Sequence, residues 1–82
     1  MAPREQSGER NVVGPRIRAA RLAQTPTVSQ EDLTARLAVG GVYFDRSALA
    51  RIELKQRFVR DYEIIAIAKA LKIPVASLFE EK

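Results

Sequence analysis

The clearest structural signals of the chain lie in one stretch, residues 29–53, SQEDLTARLAVGGVYFDRSALARIE. It opens at Ser29, a good N-cap residue, with Asp32 three residues later as in a capping box, and leucines then recur four residues apart on one helical face. The glycine pair 40–41 interrupts this pattern, and Asp45 is placed to cap a second short run. The stretch therefore predicts two short helices joined by a turn.

Helical patterns continue on both sides of this pair. Upstream, a helix is expected to begin at about Gly14-Pro15 and to end at Thr25-Pro26, since proline suits a first helical position. Downstream, Asp61 is expected to cap the strongest helical repeat, and residues 74–79 fit a short last helix. No bounded segment alternates apolar and polar residues as a strand does, so the sequence predicts an all-α fold of five helices.

The chain is long enough for one small domain and one core. Residues 1–13 show no periodicity and are predicted to be a flexible arm, with the folded domain spanning 14–80. Eight apolar residues at helical spacing are expected to form the core: Leu33, Leu37, Leu49, Ile52, Ile64, Ile67, Leu71 and Leu78.

The basic charge is concentrated in the middle of the chain. Residues 1–15 carry two basic and two acidic side chains, residues 16–60 carry nine and four, and residues 61–82 carry three and four. The net charges are therefore 0, +5 and −1. A localised basic surface favours a polyanionic partner, although a solvated basic face without a partner fits the charge alone equally well.

Several function classes are disfavoured by what the chain lacks. It contains no cysteine and no histidine, which removes disulfides, thiolate metal sites and the commonest general base, so neither an enzyme nor a metal or other cofactor is expected. No apolar run approaches the length of a membrane span, and residues 1–10 lack the apolar centre of a signal peptide. We therefore expect a cytoplasmic protein that does not interact with membranes.

The ordered set of motifs resembles a known family, the lambda-repressor and Cro-like helix-turn-helix regulators, also called the xenobiotic-response-element family. The resemblance covers about residues 13–79 and rests on SQEDL (29–33), Leu37, RSALARIE (46–53), AKALKI (68–73) and Leu78. It implies a five-helix, lambda-repressor-like DNA-binding domain. It also implies a transcriptional regulator, in most cases a repressor, that binds an inverted repeat of double-stranded DNA as a homodimer, with one helix in the major groove.

The chain departs from the family pattern in three places, one of which is the loop 23–28, about two residues longer than usual. Seven residues, 38–44, lie between the last leucine of the second helix and the cap of the third, where the family commonly has two. Lys55 occupies the position of a usual glycine. A subgroup with a long turn keeps Arg-Ser at the third helix and a Val-x-Asp-Tyr-Glu stretch, which matches Arg46-Ser47 and residues 59–63.

The resemblance assigns base contacts to the exposed start of the third helix. The residues at these positions are Arg46, Ser47, Ala50 and Arg51. An arginine there can donate two hydrogen bonds to guanine O6 and N7, and Arg46 is the best candidate. For Arg51, a phosphate contact or an exposed helix charge is an equal alternative.

Phosphate contacts are expected around the same helix, from Gln30, Lys55, Gln56 and Arg57. Gln30 would use the N-terminal end of the second helix; its alternative is a plain exposed residue. Arg21 and Glu53 occupy family positions that form a structural ion pair between the first and third helices. In the long turn, Phe44 is expected to pack beneath the turn, and Tyr43 either touches the DNA backbone or is simply exposed.

A second interpretation is a protein-interaction module, such as an antitoxin or a regulatory partner that uses the same fold. The basic set at 46, 51, 55 and 57 separates the two interpretations, because a protein-binding version would not need it. If the protein is a dimer, the apolar last helix around Val75, Leu78 and Phe79 is a candidate for the interface.

Overall fold

A computed structural model describes residues 13–79, and within this range the fold is all-helical, without a β-strand. Four α-helices are followed by one short 3₁₀ turn: α1 Gly14–Ala23, α2 Gln30–Val39, α3 Arg46–Glu53, α4 Asp61–Leu71 and the 3₁₀ turn Val75–Leu78. The predicted helical class is confirmed.

The helices α2 and α3 begin where the sequence predicts. The Ser29 hydroxyl accepts a hydrogen bond from the Asp32 backbone N–H (2.9 Å), and the Ser29 N–H donates to the Asp32 carboxylate (3.2 Å), which completes the capping box. The Asp45 carboxylate accepts from the backbone N–H of Ala48 (2.8 Å). Both starts are therefore fixed by short side chains that satisfy otherwise unpaired N–H groups.

The prediction that Asp61 caps α4 is wrong by one residue. Arg60 has the extended backbone of an N-cap, and Asp61 is the first residue of the helix. The physical reason is Glu63, whose carboxylate accepts the Arg60 backbone N–H at 2.9 Å and so fixes the helix start one residue earlier.

The predicted fifth helix is a single 3₁₀ turn of four residues. Its backbone hydrogen bonds span three residues, from the Ser77 N–H to the Pro74 carbonyl and from the Phe79 N–H to the Ala76 carbonyl. Four residues allow no sustained α-helical ladder, and proline before the turn supplies no N–H. Leu78 nevertheless returns to the core as predicted, at 1% exposure, and so cannot belong to an exposed dimer surface.

The core contains seven of the eight predicted residues. The exception is Ile64, which is only partly buried and packs against the outside of the core. Four further apolar residues that were not predicted as core are also buried: Val13, Ile17, Val28 and Ala68.

Val13 corrects the predicted boundary of the arm. Its side chain is buried, and its carbonyl accepts the first helical hydrogen bond from the Ile17 N–H at 2.8 Å. The folded unit therefore includes Val13, whereas residues 1–12, the rest of the predicted arm, lie outside the described residues, as does residue 80 at the other end of the predicted domain.

The packing leaves one side of α3 open. α2 packs against both α3 and α4, and α1 packs against α3 and α4. Leu49 and Ile52 turn inward, while Arg46, Ser47 and Arg51 are exposed on the other side of α3. Among the described helices, none has the length and apolar character that a membrane crossing demands.

Candidate nucleic-acid interface

The interface is built on a buried ion pair between α1 and α3. The Arg21 guanidinium donates to both carboxylate oxygens of Glu53, from Nε at 2.9 Å and from Nη2 at 2.8 Å. Its Nη1 donates to the Val28 carbonyl at 3.0 Å. Both side chains are buried, so each charge is stabilised by the other because water does not reach them. The two parallel hydrogen bonds fix the position of α3 relative to α1. These are the two residues that the family resemblance implied as a structural ion pair.

Gln30 connects this buried pair to the exposed start of α3. Its Nε2 donates to Glu53 Oε1 at 3.1 Å, and its Oε1 accepts from Arg46 Nε at 3.4 Å. Because Glu53 can only accept and Arg46 can only donate, the orientation of the Gln30 amide is determined by its partners. Both polar atoms of the Gln30 amide therefore have partners within the protein, and the bond to Nε positions the Arg46 side chain. This positioning role is separate from the predicted phosphate contact of Gln30.

Three of the four predicted base-contact residues share an open groove with Gln30. Arg46, Ser47 and Ala50 line this groove on the exposed side of α3. A second groove adjoins it at the start of α2, where Arg18 lies with Arg46, Ser29 and Gln30. Arg51, the fourth base-contact candidate, is exposed on α3 but does not line either groove.

Arg18 was missed by the sequence analysis as a member of this surface. It lies on α1, outside the helix-turn-helix pair, and only the packing of α1 brings it beside the N-terminal end of α2. The signal available in the sequence was the spacing of Arg18 and Arg21, since residues three apart neighbour each other on a helix.

Lys55 and Gln56, two of the predicted phosphate contacts, lie directly after α3. The Lys55 N–H donates to the Ile52 carbonyl and the Gln56 N–H to the Arg51 carbonyl, the two bonds of a Schellman motif. Lys55 has φ +66°, the left-handed conformation that glycine adopts without cost. A glycine at this position would end α3 without that strain.

Arg57 is the third residue after α3 that was predicted to contact a phosphate, and its side chain is bound by other groups of the same chain. Its guanidinium donates to both carboxylate oxygens of buried Glu63 (3.3 and 3.4 Å) and to the Phe58 carbonyl (2.9 Å). It also lies 5.1 Å from the centre of the Phe44 ring, a cation–π distance. The structure thus places Arg57 in a packing role that joins the segment after α3 to α4 and to the long turn.

The long turn is shorter than the sequence spacing suggests, because α2 continues through Val39 and only residues 40–44 separate it from the cap of α3. Gly41 has φ +90°, a conformation that strains any other residue. Phe44 is half-buried beneath the turn as expected, and Tyr43 is 79% exposed. The turn therefore presents one aromatic side chain to solvent next to the start of α3.

Within residues 13–79, no cluster of three or more carboxylate, histidine or cysteine side chains is arranged to hold a metal ion. Comparisons with protein-family models, with curated proteins and with solved structures gave no significant match. The candidate interface is therefore defined by the residues and contacts of this chain alone.

Proposed function

We propose that the protein is a sequence-specific DNA-binding transcriptional regulator of the lambda-repressor and Cro-like type. In this proposal it acts as a homodimer on an inverted repeat and inserts the N-terminal end of α3 into the major groove. The observation that carries the proposal is the supported position of Arg46: an exposed guanidinium held by Gln30, which is itself bonded to the buried Arg21–Glu53 pair.

Such support matters because base readout depends on geometry. A guanidinium donates two parallel hydrogen bonds to guanine O6 and N7 only when its plane is aligned with the base edge, and each such pair discriminates by about 1–3 kcal/mol. A side chain restrained before binding loses less conformational entropy when it binds. Arg46 is thus suited to reading one base pair in each half-site.

The surroundings of Arg46 suit the phosphate backbone on either side of that base. Arg18 lies in the adjoining groove at the start of α2, where the helix dipole also favours an anion. Lys55 and Gln56 follow the C-terminal end of α3. Contacts from both ends of α3 would position the helix without reading sequence.

The test is selection of bound duplexes from a random library by the purified full-length protein at near-physiological salt, followed by sequencing. The proposal predicts enrichment of an inverted repeat whose half-sites lie about 34 Å, one turn of DNA, apart. The control is the double variant Arg46→Ala/Arg51→Ala, which removes both arginines from the exposed side of α3 and should enrich nothing.

Enrichment of a single unrepeated site would contradict the dimer, and equal recovery of all sequences would contradict sequence-specific readout. Absence of any binding, even at low salt, would favour the alternative of a protein-interaction module.

A further inference from the structure

The outer face of α4 carries large apolar side chains that no part of the described fold covers. Tyr62 is 59% exposed and Ile65 48% exposed, and they point away from the core residues of the same helix. Asp61 and Lys69 are exposed on the same face, one at each end of the helix. This arrangement places an apolar centre between an acidic and a basic end.

The face extends beyond α4 on both sides. Toward α2, a groove runs between Tyr62, Ile65 and Lys69 on one wall and Val39 on the other, and Val39 is 91% exposed. Toward the 3₁₀ turn, a second groove is lined by Ile64, Ile65, Val75 and Phe79. Ile65 belongs to both grooves and so forms a ridge between them.

We infer that this face is the homodimer interface, and that α4 packs antiparallel against α4 of a second copy across a two-fold axis at Ile65. The inference deepens the proposed function by giving its dimer a surface. Across a two-fold axis at Ile65, the Ile65 side chain of one copy meets that of the other, and the apolar walls on either side face their counterparts, which gives the isologous contact that a two-fold symmetric interface requires. Contact along the face would cover Tyr62, Ile65 and the neighbouring apolar walls.

The charges on α4 identify the occupant as a second copy. Asp61, Ile65 and Lys69 are spaced four residues apart, so the two charges lie symmetrically about Ile65. In an antiparallel pair centred on Ile65, Asp61 of one copy lies opposite Lys69 of the other at both ends of the interface. A parallel pair would instead oppose like charges, which selects the antiparallel arrangement.

Within one molecule the charges of Asp61 and Lys69 are too far apart to form an ion pair. They are eight residues apart on one helix, which corresponds to about 12 Å along its axis at 1.5 Å per residue. Within residues 13–79, neither side chain forms a salt bridge or a side-chain hydrogen bond. Any interaction between positions 61 and 69 therefore reports contact between two copies.

The experiment is sedimentation equilibrium of the full-length protein without DNA, on the wild type and on Asp61→Lys, Lys69→Asp and the double variant Asp61→Lys/Lys69→Asp. Each single change opposes like charges at both ends, and we expect it to raise the dimer dissociation constant about tenfold or more. The double variant restores opposite charges, and we expect its dissociation constant to return to within about threefold of the wild type. Because the double variant keeps any cost that either change has for helix α4, recovery can arise only between copies.

Ile65→Asp tests the centre of the face, and Leu22→Asp is its matched control. Leu22 is 41% exposed, close to the value for Ile65, but it lies on α1 beside Arg18. We expect Ile65→Asp to leave a folded monomer by circular dichroism and Leu22→Asp to remain a dimer.

A wild type that is monomeric at millimolar concentration, a double variant that is no better than the singles, or an Ile65→Asp protein that still dimerises would overturn the inference. These readouts need no DNA. A dimer that responds as expected but binds no operator would overturn the proposed function and leave the interface standing.

Discussion

The guanidinium of Arg57 lies 3.3 Å from the buried carboxylate of Glu63. Glu63 also accepts the backbone N–H of Arg60 and so begins α4, while Arg57 lies over the ring of Phe44 in the turn before α3. One ion pair thereby joins the start of the fourth helix to the turn that precedes the third. The turn that leads into α3 is thus linked to α4, while α3 itself is linked to α1 by the Arg21–Glu53 pair.

Arg57→Ala is expected to reduce the free energy of unfolding by about 1–3 kcal/mol, because it leaves the Glu63 carboxylate buried without its partner. Chemical denaturation of the purified variant measures the loss. The double variant Arg57→Ala/Glu63→Gln should recover part of it, since glutamine keeps an acceptor for the Arg60 N–H without a charge. Wild-type stability in Arg57→Ala would show that the pair contributes nothing.

Lys55→Gly is expected to stabilise the fold by about 0.5–1 kcal/mol, because glycine adopts the left-handed conformation without cost. If Lys55 contacts a phosphate, the same change should weaken binding to all duplexes and lower the slope of log affinity against log salt by about one unit. Thermal unfolding and affinity titrations at several salt concentrations measure the two effects.

Lys72→Gly is the matched control for that change. Lys72 has φ +61° and ends α4 in the same pattern of hydrogen bonds, so its replacement should stabilise the fold to the same extent. Lys72 has no predicted DNA contact, so the Lys72→Gly variant should keep the wild-type slope of log affinity against log salt. Equal slopes for both glycine variants would contradict a phosphate contact by Lys55.

Gln30→Ala is expected to relax sequence preference at the same base pair as Arg46→Ala, since Gln30 positions the Arg46 guanidinium. The double variant should lose little more than Arg46→Ala alone, because residues that act through one contact are not additive. Competition binding with duplexes changed at single positions measures this coupling. Gln56→Ala serves as the control and should weaken all duplexes alike.

Arg21→Lys is expected to cost about 1–3 kcal/mol of stability although it conserves the charge. An ammonium cannot reproduce the fork that serves both Glu53 oxygens and the Val28 carbonyl. Arg18→Lys makes the same change at an exposed position of the same helix, where we expect less than about 0.5 kcal/mol. Equal denaturation midpoints for the two variants would contradict a structural role for the Arg21 fork.

Much of the fold was predictable because its signals are local. Ser29 with Asp32, and Asp45 alone, mark helix starts through contacts that span three residues. The glycine pair at 40–41 is also a local signal, because glycine disfavours continuation of α2 and permits the turn before α3. The Arg21–Glu53 contact is not local, and only the resemblance to a family placed these two residues together.

The parts that were not predictable depend on packing between distant segments. An arginine after a basic helix resembles a phosphate clamp in sequence, and only the folded chain shows that Arg57 meets Glu63 and Phe44. The same carboxylate moves the start of α4 from the expected Asp61 cap to Arg60. Arg18 likewise joins the candidate interface only because the packing of α1 against α3 brings it near the start of α2.

Base reading by Arg46 from the N-terminal end of α3 is the step on which the proposed function depends. It is tested most directly by measuring the affinities of wild type and Arg46→Ala for the selected operator and for every single-base-pair variant of it. We predict that Arg46→Ala loses discrimination, by about 1–3 kcal/mol, at one base pair in each half-site and keeps its preferences elsewhere. An unchanged preference at every position would contradict the claim.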